Sequence, residues 1–403
     1  VAFHQHRLVN KKWVHNRSPY MGFPFLLADS SMGDMTLNGI HWQLGYSHEL
    51  IPDKLFLGSR LFYNVDEEMK DVFPKPIIKH RDMMFSLGIG TKLFDNISAG
   101  LQYSYFDFQE NLRTSKYSLN QDQTPLFFKI RGLDNPLIFR GETSEERKQD
   151  YTGHNFQLDT KMTGRFAKEI NVLLEYETGN MEAVDGGAYP VDQGKMATEV
   201  LAFTSNATFP FIGFGEIKFS AFGEKHHYSA DHPDINIEIY EYKTERLGGG
   251  FEFLWPLNKN IIFKPAVFGS SQFIERIDKF NGILQYFPFT SAGPSLGLLF
   301  PNIGRLAVDV NAGVLSTLVG DSEIYVEKKN WYYNAITADE ADWYNSDKMQ
   351  YTLKSRLTYQ LTGNKCLILD IDYLSGTASS NTSFDGKQRN GLTIGLKIEF
   401  KNE

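Results

Sequence analysis

The 403-residue chain carries one cysteine, Cys366. That excludes an internal disulfide framework and a cysteine-based zinc cluster. No stretch approaches ~20 consecutive apolar residues, so the sequence has no transmembrane helix. Long amphipathic helical patterns are missing too. Basic residues are not in excess: 41 Lys and Arg against 49 Asp and Glu leave a formal net charge of -8, which argues against a nucleic-acid surface. No signal peptide is visible and Val1 is not a translation start, so a processed or incomplete N-terminus is expected. No linker or shift of composition divides the chain, which reads as one domain over residues 1–403.

What is abundant is aromatic and small: 32 Phe, 20 Tyr and 34 Gly, with a mean hydropathy of -0.35. That average suits a barrel wall, in which every second residue meets lipid and the others meet a wet lumen. The local pattern agrees. Leu392, Ile394, Leu396, Ile398 and Phe400 alternate with Thr393, Gly395, Lys397 and Glu399. Tyr351, Leu353, Leu357 and Tyr359 alternate with Thr352, Lys354, Arg356 and Thr358, and Ile170, Val172, Leu174 and Tyr176 with Asn171, Glu175 and Glu177. Side chains alternate across a strand, so each segment has one oily and one largely polar face. Residues 1–16 alternate poorly, and the strand with Pro265 contains a residue that cannot donate to a ladder.

Short turns are expected near 50–53, 94–96, 167–169, 212–215, 257–260, 301–304 and 362–365. Long connections are expected near 17–34, 65–80, 113–150, 185–194, 229–236, 273–287, 319–349 and 377–387. Together they join about sixteen strands, the layout of an antiparallel transmembrane β-barrel of the outer membrane, with short periplasmic turns and long outer loops. Aromatic residues fall at the two levels where girdles form. Phe94, Phe166, Phe209, Trp255, Phe300 and Tyr359 lie near short turns, and Tyr103, Tyr105, Tyr176 and Tyr373 toward long loops.

Three stretches resemble a family of Bacteroidota outer-membrane β-barrels of unassigned function. They are residues 16–48 (NRSPYMGFPFLLADSSMGDMTLNGIHWQLGYSH), 74–106 (PKPIIKHRDMMFSLGIGTKLFDNISAGLQYSYF) and 120–153 (NQDQTPLFFKIRGLDNPLIFRGETSEERKQDYTG). The resemblance contains no catalytic signature. It implies a Bacteroidota-type outer membrane with its lipid and lipopolysaccharide, and the company of a TonB-dependent transporter or a surface lipoprotein. The ending FKNE departs from the barrel habit of closing on an aromatic residue, since Phe400 lies three positions short.

Strand alternation puts Arg60, Lys92, Asp159, Lys161, Arg165, Glu175, Glu177, Lys218, Glu252, Lys354, Arg356, Asp370 and Asp372 on the inner face. On the lipid face an Arg or Lys would cost about 2–4 kcal/mol at the midplane. Such charges either tune a pore or neutralise one another in a filled interior. Glu224, His226, Asp231 and His232 are weak metal-ligand candidates beside a loop; the commoner explanation is solvated loop polarity, and no cofactor is expected. Loop 319–349, with Glu340, Trp343 and Tyr344, could contact a solute or partner, or pack on itself with its aromatic rings at headgroup level. Loop 113–150, with Lys129, Arg131 and Arg147, could constrict or cap the lumen. No Ser-centred motif accompanies His41, His48, His80 or His154, so the chain is read as non-enzymatic, with an outer-membrane hydrolase as the weakest alternative. The expected role is a pore or the barrel of a solute-uptake assembly. The alternative is a structural or partner-binding barrel with a filled lumen, in a surface or secretion complex.

Overall fold

A computed structural model describes residues 2–14, 24–72, 75–114, 126–133, 136–140, 146–186, 189–211, 215–234, 237–328, 333–361, 365–379 and 388–400. The described strands form one antiparallel sheet. It begins with β1 (Ala2–Val14), β2 (Phe25–Ile51), β3 (Leu55–Lys70), β4 (Ile77–Phe94) and β5 (Ile97–Arg113). Two short strands, β6 (Leu126–Arg131) and β7 (Pro136–Arg140), then leave the wall. The wall resumes with β8 (Glu146–Met162), β9 (Glu169–Asp185), β10 (Val191–Phe211), β11 (Gly215–Asp231) and β12 (Glu238–Asn258). It continues through β13 (Ile261–Asp278), β14 (Ile283–Ile303) and β15 (Leu306–Val319). Short β16 (Glu323–Val326), a π-helical turn (Tyr333–Thr337) and helix α1 (Ala338–Tyr344) follow. Strands β17 (Asp347–Gln360), β18 (Lys365–Ser379) and β19 (Gln388–Phe400) complete it.

Without β6, β7 and β16, sixteen strands make the wall. Strand β1 is hydrogen-bonded on both sides, to β2 and to β19, with Ala2 opposite both His41 and Lys397. Each wall strand therefore has a partner along each edge, which backbone groups in hydrocarbon require. Pro265 leaves a local trace. The β12–β13 pairing is interrupted between Glu252↔Ala266 and Trp255↔Phe263, in unchanged register, while the β13–β14 pairing runs through Pro265↔Leu296 without a break. A residue without an N–H can serve only one neighbour fully.

The outward face of β12 shows where the membrane lies. Leu247 (62% exposed), Phe251, Trp255 and Leu257 form an apolar run toward the short turn. The distance from Leu247 to Leu257 matches the roughly 9–11 residues that cross a bilayer at a tilt. Toward the long loops the same face changes to Glu245, Lys243 and Glu241. These join Lys225–Glu245 at 2.7 Å, His227–Glu241 at 2.9 Å and Lys243–Glu241 at 2.8 Å. Such a belt sits above the band on other strands too, as in Arg81–Asp107 at 2.9 Å and Lys195–Glu182 at 2.7 Å. Tyr103 bonds His154 at 2.7 Å and Tyr176 donates to Glu199 at 3.0 Å at the boundary. Ile394 and Leu396 are outward and exposed. A charge in this band is costly: Leu353→Arg is expected to destabilise the barrel by about 2–4 kcal/mol, read as a lower midpoint for loss of the heat-modifiable folded form on gels.

Several long connections are shorter than the sequence suggests. Residues 273–287 form a hairpin, with β13 running to Asp278 and β14 starting at Ile283. Strand β3 extends to Lys70, and β2 starts at Phe25 within the expected 17–34 loop. Above the apolar band the outward residues are charged, so period-two hydrophobicity disappears although the hydrogen-bonded ladder continues.

At the loop end, other segments turn inward. Phe25 to Asp29 pair with β6, which pairs with β7. Phe25, Leu133 and Tyr333 pack against inner-face Met181, Met196, Tyr228, Tyr240, Tyr242, Ile274 and Ile283. The hydrophobic core of this barrel is therefore at one end.

Candidate functional site

The inner face has two zones. Near the short turns it carries charges of both signs. Arg60 donates to Gln43 at 2.9 Å, Lys92 lies 3.4 Å from Asp95, and Lys161 pairs with Glu169 at 2.7 Å. Asp159 stands opposite Gly100 in the β5–β8 register. Glu175 accepts from Asn155 at 2.5 Å and Gln157 at 3.2 Å, and Glu177 accepts from Tyr151 at 3.1 Å. Lys218 faces Glu252 at 3.9 Å. Arg356 donates two bonds to Asp370, at 2.6 and 3.2 Å, and Lys354 is opposite Asp372 in register. Lys264 of β13 donates to both carboxylate oxygens of Asp309, at 2.5 and 2.8 Å. Arg165 differs from expectation: it lies in the turn between β8 and β9, where alternation no longer applies. Most of these charges have an opposite charge or an amide beside them.

The metal candidates do not form one constellation. Glu224 is 3.7 Å from His226, but Arg246 approaches the same carboxylate at 3.6 Å, and His226 bonds Tyr228 at 2.8 Å. Asp231 is an odd-numbered position on β11, on the face opposite Glu224 and His226. His232 sits 3.3 Å from Arg131. Among the described residues no group of three or more His, Cys, Asp or Glu is placed to hold an ion.

The second zone lies under the long loops, where the inward segments are latched to the wall. Arg147 of β8 donates to Asp185 of β9 through two nitrogens, at 2.6 and 2.9 Å, and to the Leu26 carbonyl at 3.0 Å. Lys129 of β6 reaches the same carboxylate at 3.1 Å. Asp278 accepts from the Leu133 backbone N–H at 2.6 Å, and Thr337 donates to the Leu133 carbonyl at 2.6 Å. Helix α1 is held by Glu340, whose carboxylate oxygens each lie 3.0 Å from a terminal nitrogen of Arg276. Tyr344 stacks on Phe287, and Arg389 lies 3.9 Å above Trp343.

This corrects one sequence expectation. Tyr333, Trp343 and Tyr344 do not reach headgroup level; they face the inner wall. Trp331 and Tyr332 lie outside the described residues. The latching residues were visible in the sequence only as charges in polar loops. Their contacts connect positions far apart in the chain, such as Arg276 and Glu340, which no local pattern pairs.

Lys348, at the loop end of β17 above the apolar band, donates to the carbonyls of Ser346 at 2.9 Å and Tyr344 at 3.4 Å. Burial, with Arg389 nearby, pushes its ammonium down to about 8. A lysine held below its free value binds fewer protons docked than undocked. Docking of α1 is therefore penalised below pH ~8 and strengthens as pH rises toward the free lysine value of ~10.4. Protease cleavage within 333–346 is expected to slow as pH rises from 8 to 10. Cleavage independent of pH, or faster at high pH, would contradict this.

The fold resembles that of solved outer-membrane barrels. A structure titled copper transporter OprC superposes with a TM-score of 0.53 at 10% identity, covering 97% of this chain and 64% of that one. This chain thus spans less than two thirds of that transporter's length. CdiB from Acinetobacter baumannii gives a TM-score of 0.44 at 9% identity, over 99% of this chain and 59% of that one. The siderophore receptor PiuA from Acinetobacter baumannii gives 0.43 at 8%, over 99% and 82%. These likenesses concern the fold alone, and the last two carry no argument. No protein with a curated description matches the sequence. The lipid-facing band and antiparallel wall are those of a bacterial outer-membrane β-barrel. Over residues 1–400 the sequence matches the model of a family of unknown function, DUF6850, and the chain belongs to that family.

Proposed function

We propose that the chain is a single-domain solute passage, alone or as the barrel of an uptake assembly, held closed on its loop side by its own inward segments. The observation that carries this reading is the contrast between the two zones of the inner face. A sixteen-strand wall is wide enough for an aqueous channel, and near the short turns its inner face carries exposed charges of both signs, such as Arg60, Asp159, Lys354 and Arg356. Under the loops the same face is covered by Phe25, Leu133, Tyr333 and α1. A closed outer end with a polar inner approach fits gated passage better than a standing pore. The mixed signs of Arg60, Asp159, Glu175, Lys354, Arg356 and Asp370 would then act on polar or charged solutes. In keeping with the family resemblance, a Bacteroidota-type outer membrane is the proposed setting, with a TonB-dependent transporter or surface lipoprotein as partner. The proposed role involves no catalysis.

Planar-bilayer recording tests this. The wild-type barrel is expected to be silent, and replacing residues 320–346 with a short Gly-Ser linker is expected to give steady ion conductance. A linker variant that inserts, folds and still passes no ions would sink the proposal. The covered loop end also favours a second reading, a partner-binding barrel with a filled lumen. That reading expects a stoichiometric partner to co-purify after detergent extraction while both barrels stay silent.

A further inference from the structure

The α1 latch contains polar atoms that its own components leave unused. Arg276 is 3% exposed and gives two terminal nitrogens to Glu340, yet its Nε has no hydrogen-bond partner among the described residues. Directly opposite it in the β13–β14 register is Gln285, 0% exposed, whose Oε1 and Nε2 are both unpartnered among the described residues. Tyr242 flanks Arg276 on the other side in register, and the Tyr344 ring lies 4.9 Å from the guanidinium carbon. A guanidinium fork matches a carboxylate in two-pronged fashion. The neighbouring amide adds two donors and one acceptor, and the aromatic rings exclude water. Native proteins rarely bury a whole polar side chain without partners, so a site built for one carboxylate and one further polar group is only half satisfied by Glu340.

We propose that Arg276 and Gln285 form a carboxylate-recognition site on the inner wall. In this state the chain's own Glu340 occupies it. A solute bearing a carboxylate and a second hydrogen-bonding group displaces Glu340 and so releases α1. The binding step stands on the geometry alone; its role in opening the barrel rests on the proposed passage function.

Glutarate is the probe, titrated calorimetrically into the full chain in detergent. A tethered carboxylate competes at an effective concentration in the millimolar range. The Glu340→Gln variant is therefore expected to bind glutarate at least tenfold more tightly than wild type, and adding Arg276→Met is expected to abolish that binding. Absence of binding by a folded Glu340→Gln barrel, or equal binding by the double variant, would overturn the proposal. If Glu340→Gln does not fold, wild type decides the matter: glutarate should accelerate protease cleavage within 333–346 while neutral 1,5-pentanediol should not, and equal rates would refute the site. The two proposals fail separately. A linker variant that stays sealed while Glu340→Gln binds glutarate removes only the passage, and a conducting linker variant beside a Glu340→Gln barrel indifferent to glutarate removes only this site.

Discussion

Arg276→Met is expected to undock helix α1 from the wall and let a barrel that is silent as wild type open intermittently. The physical reason is asymmetric. Removing one member of a buried ion pair typically costs about 3–5 kcal/mol, because the other charge stays buried without compensation. Glu340 would lose both of its 3.0 Å contacts, and Tyr344 would lose the guanidinium over its ring. Undocking should appear as new protease cleavage within 333–346 and as brief conductance events in a planar bilayer. The double variant Arg276→Met, Glu340→Leu is a sharper test, since replacing a buried pair with apolar residues of similar volume is often neutral or stabilising. It should restore protection. If Arg276→Met alone remains as protected as wild type, α1 is held by its aromatic contacts and not by the ion pair.

The second large effect is expected at Arg147. Arg147→Met takes two bonds from Asp185 and one from the Leu26 carbonyl, leaving Lys129 as the remaining cation at that carboxylate. A loss of about 3–5 kcal/mol is expected for the docked state of the inward segment, measured as a drop in thermal midpoint and faster hydrogen exchange at Leu26 and Leu27. The pH dependence follows from the same contacts. Burial alone would raise the Asp185 carboxyl, but the Arg147 guanidinium and Lys129 outweigh it and hold the group below the ordinary carboxylate range. A carboxyl held low contributes stability above its unfolded value and loses it as pH falls through the folded value. In wild type the contribution of Asp185 to docking should therefore persist until pH falls below the ordinary carboxylate range. In Arg147→Met, burial is countered only by Lys129, so acid undocking should move toward neutral pH. Unchanged acid behaviour would show that Asp185 does not depend on Arg147.

Much of the wall was legible because lipid imposes a local rule. Leu353, Ile394 and Leu396 must face outward and Lys354 and Arg356 inward, and that alternation lies within a few residues of sequence. The turns at 94–96 and 257–260 were legible for the same reason, since apolar strands converge on them from both sides. The upper halves of β3, β13 and β14 were not. Their outward positions, such as Glu275, meet water and headgroups, so the ladder continues with no oily face to reveal it. Arg165 differs at the opposite end, where the chain leaves the ladder at Met162, three residues before it.

The inner face divides along the same line. The short-turn charges could be listed from alternation, but their pairing could not, because Arg356–Asp370 and Lys264–Asp309 depend on which strands become neighbours. Arg276, Glu340, Arg147, Asp185 and Gln285 carry the strongest chemistry under the loops, and nothing nearby in sequence marks them.

Sequence by itself determined that this chain crosses a membrane as strands, which side of the clearly alternating strands meets lipid, and about how many strands there are. A two-residue period and the cost of charge in hydrocarbon are properties of short segments. Only the tertiary structure decided that segments turn inward at the loop end, and which wall residues they pack against. The closing contacts join residues many tens of positions apart, and a buried guanidinium finds its carboxylate only after the wall has brought both to the same enclosed, weakly hydrated place.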